Sequence, residues 1–199
     1  MRIILASGSP RRRELLAMAG FSFEVINADV DETADPSLTP AELVAHLSEK
    51  KAAAISEDAV VIGADTVVAI DGLILGKPKN DDDAFAMLKR LQGRAHTVYT
   101  GVTVTSSLFK QGFVESTKVF MRSLSDEEIR EYIATGEPRD KAGSYGIQER
   151  GAVLIERVEG DYFTVVGLPL CRLALVLRDC ALAYKVPTAT DPSSAKNKL

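Results

Sequence analysis

The chain has 199 residues, of which 46% are hydrophobic and 26% charged, enough apolar material for one compact α/β body or two lobes sharing a core. Its net charge of -4 argues against a general nucleic-acid binder, which would normally carry a basic excess. No apolar run reaches the roughly 18 residues that span a bilayer, and the start lacks a signal peptide's apolar core, so no membrane partner and a cytoplasmic location are expected.

From the first residues, "RIILAS" reads as a short buried strand. "PRRRELLAMAG" follows as a helix, with Ser9 as N-cap, Pro10 at its first position and Gly20 closing it. "FSFEVINADV" alternates as a strand. "TPAELVAHLSEKKAAAI" is helical, with Thr39 and Glu42 forming a capping box. "AVVIGADTVVAI" and "GLILGKP" read as two strands joined by the turn pair Asp71-Gly72.

"NDDDAFAMLKRLQG" is a helix with acids first, bases last and Gly93 at its end. "TVYTGVTVTSS" and "FVESTKVFMR" are strands. "SDEEIREYIATG" is a helix capped by Ser125 and Glu128, and "AGSYGIQERG" is a glycine-rich loop. "GAVLIERVEG" and "YFTVVGLP" read as strands, and "LPLCRLALVLRDCALAY" as a closing helix. One domain over 1–185 is expected, with the polar segment 186–199 a disordered tail.

Cys171 and Cys180 have no CxxC spacing and read as buried free thiols of a reducing compartment. His46 and His96 lie too far apart in sequence for a metal-ligand pattern. Histidine-centred metal or triad chemistry is not expected.

One element breaks the local rules. Arg11, Arg12 and Arg13 stand at a helix start, where each cation costs about 0.3–1 kcal/mol. Two readings fit: a solvated basic patch, or an anion cradle built from Ser9, free N–H groups and guanidiniums. On the second, Arg12→Ala would weaken anion binding and leave the empty protein at least as stable. Asp65 is the other anomaly, a carboxylate among strand-forming aliphatics. It is either a cap on a bulge at Gly63, or a general base or metal ligand at a strand end.

"DVDET" supplies Asp29, Asp31 and Glu32, an acidic loop that with Asp65 suits a hard divalent cation. "GLILGKP" approaches a Walker A loop and fails it: the glycine spacing is one residue short, and Pro78 stands where a hydroxyl should hold magnesium. Lys77 remains a plausible phosphate contact. Lys51 by itself reads as a helix lysine.

"SGSPRR", "DE" at 31–32, "EKKA" around Lys51, "GADT" at 63–66, "GKP" at 76–78, "YTGV" at 99–102, "GEPRDKAGSYGIQ" at 136–148 and "VVGLP" at 165–169 occur in the order and spacing of one family. On these segments, covering nearly all but the tail, the chain resembles the Maf family. The resemblance implies a nucleoside triphosphate pyrophosphatase that releases the monophosphate and pyrophosphate. It also implies a long mixed β-sheet with flanking helices and two lobes around a deep cleft, like the inosine triphosphate pyrophosphatases. A divalent cation (Mg²⁺ or Mn²⁺), a cytoplasmic location and a homodimer come with it.

Within the family, "GADT" and "YGIQ" are similar to the branch acting on dTTP and UTP rather than the 7-methyl-GTP branch. Carried over residue by residue, the catalytic acid falls on Asp65, which would share the metal with Glu32. The base-selecting positions fall on Arg11, Thr66 and Gln148, and further polar cleft positions on Ser7, Ser9, Arg12, Lys51 and Lys77. Arg13 is read as solvated, and Glu149-Arg150 replaces a glycine-bearing turn common in the family. A rival of another class, a non-catalytic nucleotide sensor regulating septum formation, would keep the arginines and not need Asp65.

Overall fold

The computed structural model describes residues 2–33 and 35–183. Strand β1 (Ile3–Ala6) is fully buried and runs into helix α1 (Pro10–Met18). Strand β2 (Glu24–Val25) pairs parallel to one side of β1, and β3 (Val60–Ile70) pairs parallel to the other after helix α2 (Pro40–Ala53). The chain therefore leaves β1 in one direction and returns on its other side. That reversal opens a crevice at the carboxyl end of β1, where open α/β sheets place their ligands.

Strand β4 (Leu73–Leu75) folds back on β3 through Asp71 and Gly72, both with positive φ, as the Asp-Gly pair requires. Helix α3 (Asp81–Leu91) starts at the Asn80 cap and gives way to the long pair β5 (Ala95–Thr105) and β6 (Lys110–Met121). Helix α4 (Asp126–Ala134) has the expected capping box from Ser125 and Glu128. Strand β7 (Ile155–Glu159) closes the far edge, and helices α5 (Tyr162–Val166) and α6 (Leu170–Ala183) complete the described chain. Among the described residues the sheet has seven strands in the order β2-β1-β3-β5-β6-β7, with β4 beside β3. The mixed α/β class is as expected.

Three readings of the sequence change. The strand expected over 21–30 shrinks to two residues, because β1 ends at Ala6 and offers no further edge; the chain from Asn27 turns instead to line a cavity. "YFTVVGLP" is the helix α5 rather than a strand: the Asp161 carboxylate accepts from the N–H groups of Phe163 and Thr164, and this cap overrides a β-prone composition. "GAVLIERVEG" is half strand, its first residues coiling as a 3-10 turn at Arg150–Leu154. Of the cysteines, Cys180 is buried but Cys171 is exposed. Their nine-residue separation places them on opposite faces of a 3.6-residue helix. The segment 186–199 lies outside the described residues.

Two glycines let α2 lie unusually close to the sheet. A Cβ at Gly63 would stand 2.2 Å from the carbonyl oxygen of Ser48, and one at Gly101 2.3 Å from that of Val44. No side chain survives at such distances, so the α2 backbone rests directly on β3 and β5. The core divides into a cluster under α1 and α6, including Leu5, Leu16, Ile62 and Leu173, and another under α3 and α4, including Leu88, Leu91, Val98 and Ile129. A third, smaller one lies under α2.

Candidate functional site

The register of β3 explains where the site lies. Its pairing with β1 stops at Gly63, and its pairing with β4 starts at Val68. Residues 64–67 thus have no strand partner on that edge, although β5 pairs them on the other. A cavity of about 770 Å³ opens along this break, lined from the first core cluster's side by Ser7, Ser9 and Arg12 and from the second's by Val68, Val98 and Tyr145. The site residues carried over from the family resemblance all line it: Ser7, Ser9, Arg11, Arg12, Glu32, Lys51, Asp65, Thr66, Lys77 and Gln148; Asp29, Asp31 and Arg13 do not.

Side chains alternate across a strand, so Asp65 and Thr66 face opposite ways from adjacent positions. Asp65 points toward α2. There the Lys51 ammonium sits 2.6 Å from Asp65 Oδ1 and 2.7 Å from Glu32 Oε1. Lys51 reaches this position because the close approach at Gly63 brings the last turn of α2 down onto β3. It is the buried ammonium of a three-residue ion cluster rather than a solvated lysine. Its neighbour Lys50 donates to the carbonyl of Asp31, so consecutive lysines hold the backbone and the side chain of one acidic segment. Partial burial alone would raise the Glu32 carboxyl, but contact with Lys51, helped by Lys77 and Arg12, holds it below the usual carboxylate range. Asp65 Oδ2 makes no hydrogen bond within the described chain and is not sealed from solvent. That leaves one carboxylate oxygen for a ligand.

Thr66 points the other way, toward α1 and α5. Arg12 Nη2 donates to its hydroxyl at 3.0 Å. The same guanidinium donates through Nη1 to the Ala64 carbonyl at 2.8 Å and to Ser7 Oγ at 3.2 Å, and through Nε to the Gly167 carbonyl at 2.8 Å. Ala64 is the first β3 residue beyond the β1 pairing, so Arg12 supplies the donor that a neighbouring strand would have supplied. Four of its five N–H groups are engaged. Arg12 is therefore an internal tie as well as a cavity cation, so its removal is expected to destabilise the empty protein. The Ser9 hydroxyl makes no capping bond, leaving the first turn of α1 without the side-chain cap expected there.

The cavity charges are largely matched in pairs. Arg11 Nη1 meets Asp140 Oδ2 at 2.9 Å across the rim. Lys141 lies 3.0 Å from Asp140 Oδ1 and 3.7 Å from Glu149. Among the described residues, Arg12 and Lys77 alone of the lining cations have no carboxylate within ion-pair distance. Arg12 pays for its burial with a pKa below the ordinary guanidinium value, desolvation outweighing the attraction of Asp65. Arg13 is exposed, as read from the sequence.

Gln148 is exposed on the rim, in a loop pinned from behind by Glu137, whose carboxylate accepts from the N–H groups of Arg150 and Gly151 and from Tyr132 Oη. Gly151 is required there: a Cβ would come within 2.4 Å of the Gly146 carbonyl. Tyr145 also lines the cavity and shares a 2.7 Å hydrogen bond with the buried His96. Sequence reasoning assigned no role in the site to Asp140, Lys141, Tyr145 or His96. Three of them lie within the quoted stretch "GEPRDKAGSYGIQ", but no periodicity marks which of its polar residues face inward.

Two carboxylates with a free oxygen each suit a hard cation that completes its shell from phosphate oxygens. No cluster of three or more His, Cys, Asp or Glu residues arranged for a metal occurs among the described residues. No helix among them is long and apolar enough to cross a membrane.

Residues 2–180 match the sequence family described as "Maf-like protein". This chain belongs to the Maf family. Proteins named dTTP/UTP pyrophosphatase are among its relatives. The one from Pelotomaculum thermopropionicum is 54% identical over 181 residues, covering 88% of this chain and 95% of that protein. Those of Thermoanaerobacter sp. and Bacillus pumilus are each 52% identical, over 89% and 88% of this chain and 96% and 95% of theirs. Among solved structures, a HAM1 protein from Coxiella burnetii aligns over 90% of this chain and 99% of its own with a TM-score of 0.50 at 14% identity, a likeness of fold alone.

Proposed function

We propose that this protein is a nucleoside triphosphate pyrophosphatase acting on dTTP and UTP. The observation that carries the reading is the Asp65–Lys51–Glu32 cluster at the break in the β3 edge, beside two cavity cations with no carboxylate partner among the described residues. The names of the family relatives support the substrate class.

In this reading the triphosphate lies along the start of α1, where N–H groups and the dipole favour anions, and against Arg12 and Lys77. A water is held by Asp65 Oδ2 in line with the α–β bond. Lys51, 2.6 Å from Asp65 Oδ1, fixes the orientation of the carboxylate, so that its other oxygen accepts the proton as water oxygen bonds to the α-phosphorus. The bridging oxygen leaves with pyrophosphate, its charge met by Lys77 and the remaining N–H of Arg12. Phosphoryl chemistry depends on such positioning and charge compensation more than on covalent steps. Glu32 and Asp65 would hold a divalent cation, Mg²⁺ or Mn²⁺, together with phosphate oxygens; bound there, it supplies charge neutralisation to the phosphates.

For the base, Gln148 offers an amide donor at the rim to a carbonyl of uracil or thymine, whose edge alternates carbonyl and N–H groups. The experiment is pyrophosphate release measured over a panel of nucleotides. UTP and dTTP hydrolysed far faster than CTP and 7-methyl-GTP is the expected outcome. A preference for 7-methyl-GTP overturns the substrate assignment, and no hydrolysis of any nucleotide overturns the enzyme.

A further inference from the structure

The directions of the hydrogen bonds behind Thr66 follow from their partners. Helix α5 is one short turn, and both Gly167 N–H and Leu168 N–H donate to Phe163, so the next carbonyl, that of Thr164, is left for another donor. Thr100 Oγ1 supplies it at 2.8 Å. A carbonyl only accepts and a hydroxyl carries one hydrogen, so Thr100's hydrogen is committed. Thr100 lies opposite Thr66 in the β3–β5 register, with the two hydroxyl oxygens 2.9 Å apart. That bond must therefore run from Thr66 to Thr100. Arg12, which can only donate, fills one acceptor position on Thr66. Thr66, which lines the cavity, is thus left with one lone pair and no hydrogen to offer.

We propose that Thr100, fully buried and outside the cavity lining, is a positioning residue for base choice. By taking the Thr66 hydrogen it fixes Thr66 as an acceptor for the N3–H of uracil or thymine. Cytosine presents an acceptor at N3, so the same oxygen faces it with a lone pair against a lone pair. Gln148 is then left to donate its amide N–H to a flanking carbonyl. The inference rests on reading the cavity as a UTP and dTTP site, and concerns how that site refuses cytosine.

The test compares kcat/KM for UTP and CTP in the wild type and in Thr100→Val, Thr100→Ser and Thr66→Val, with the melting temperature of each. Valine keeps the shape of Thr100 but cannot take the Thr66 hydrogen, which then turns toward the cavity and can meet cytosine N3. The expected result is a fall of about tenfold or more in the UTP-to-CTP ratio, partly through a rise in kcat/KM for CTP. Simple damage to the fold would not increase CTP hydrolysis. Thr100→Ser restores the wild-type ratio, and Thr66→Val loses the ratio without the gain on CTP. A folded Thr100→Val protein with the wild-type ratio overturns the proposal. If that variant does not fold, Thr66→Val decides, and a full UTP preference there overturns it equally. A wild type that fails to separate UTP from CTP overturns the site reading and the proposal with it, and is recognised before any variant is made.

Discussion

Asp65 and Thr66 are neighbours in one strand, yet they belong to unlike networks. On the Asp65 face the partners are ions: the Lys51 ammonium between two carboxylates, delivered by a helix that two glycines allow against the sheet. On the Thr66 face the partners are neutral apart from one guanidinium: hydroxyls and carbonyls in a directed chain. Ions set charge and reactivity but are poor at reading shape, whereas a directed hydroxyl distinguishes donor from acceptor. A gap of four residues in strand pairing lets both kinds of chemistry reach one cavity without competing for the same side chains.

The comparison breaks first at Asp65. Asp65→Asn keeps the volume but removes the base, and should lower kcat by about 10²–10⁴. Because the reading of the base lies on the other face, the ratio of UTP to CTP turnover should survive in what activity remains. Steady-state kinetics on both nucleotides checks this, and undiminished turnover in a protein with normal melting would remove Asp65 from the chemistry.

Arg12 is where the two faces depend on each other, and here the structure reverses the expectation drawn from the sequence. Arg12→Ala leaves the carbonyls of Ala64 and Gly167 without their donor, so the empty protein should lose about 2–4 kcal/mol of stability despite shedding a helix-start cation. Urea denaturation without nucleotide measures it. A variant as stable as wild type would mean that water replaces the guanidinium without loss, leaving Arg12 with a phosphate role alone.

The contrast also shows what the sequence makes legible. Asp65, Arg12 and Lys51 are visible because each violates a local rule or sits in a dense motif, and the capping boxes of α2 and α4 are spelled out in adjacent residues. The direction of the Thr66–Thr100 bond is not, since it depends on an orphan carbonyl in α5, a helix that a β-prone composition conceals. The 34 positions separating Thr66 from Thr100 leave no trace of their pairing in local pattern. Nor does an arginine triplet reveal which member turns inward: Arg11 goes to Asp140, Arg12 to the core edge and Arg13 to solvent.

A smaller effect sharpens the role of the second core cluster as the floor of the cavity. Burial holds the His96 imidazole at a pKa of about 4, below the ordinary value of 6.5, and its Nδ1 has no partner among the described residues. The folded state thus disfavours the proton that the unfolded chain takes up. The stability is fully present above pH 6.5 and is lost as pH falls toward 4. Between pH 7 and 5 the loss should be about 2 kcal/mol, in a window above the range where carboxylates titrate. Urea midpoints at the two pH values, compared with His96→Gln, isolate it: the variant should show a flatter dependence, and an equally steep one would assign the pH effect elsewhere.

The smallest expected change is at Gln148, which belongs to neither network. It is exposed on the rim and makes no hydrogen bond with the described chain, so Gln148→Ala should shift stability by no more than about 0.5 kcal/mol. Its amide nevertheless meets the base in the proposed complex, where losing one hydrogen bond to a neutral group typically costs about 0.5–1.5 kcal/mol. The UTP-to-CTP ratio should therefore fall by roughly tenfold at most, less than in Thr100→Val, with the loss appearing in KM for UTP more than in kcat. The difference in size has a physical basis. A truncated rim side chain is replaced by water, which donates and accepts alike, whereas a freed Thr66 hydroxyl presents the wrong polarity from within the wall. If Gln148→Ala erodes base choice more than Thr100→Val does, selection lies at the rim and the buried hydroxyl chain serves packing alone.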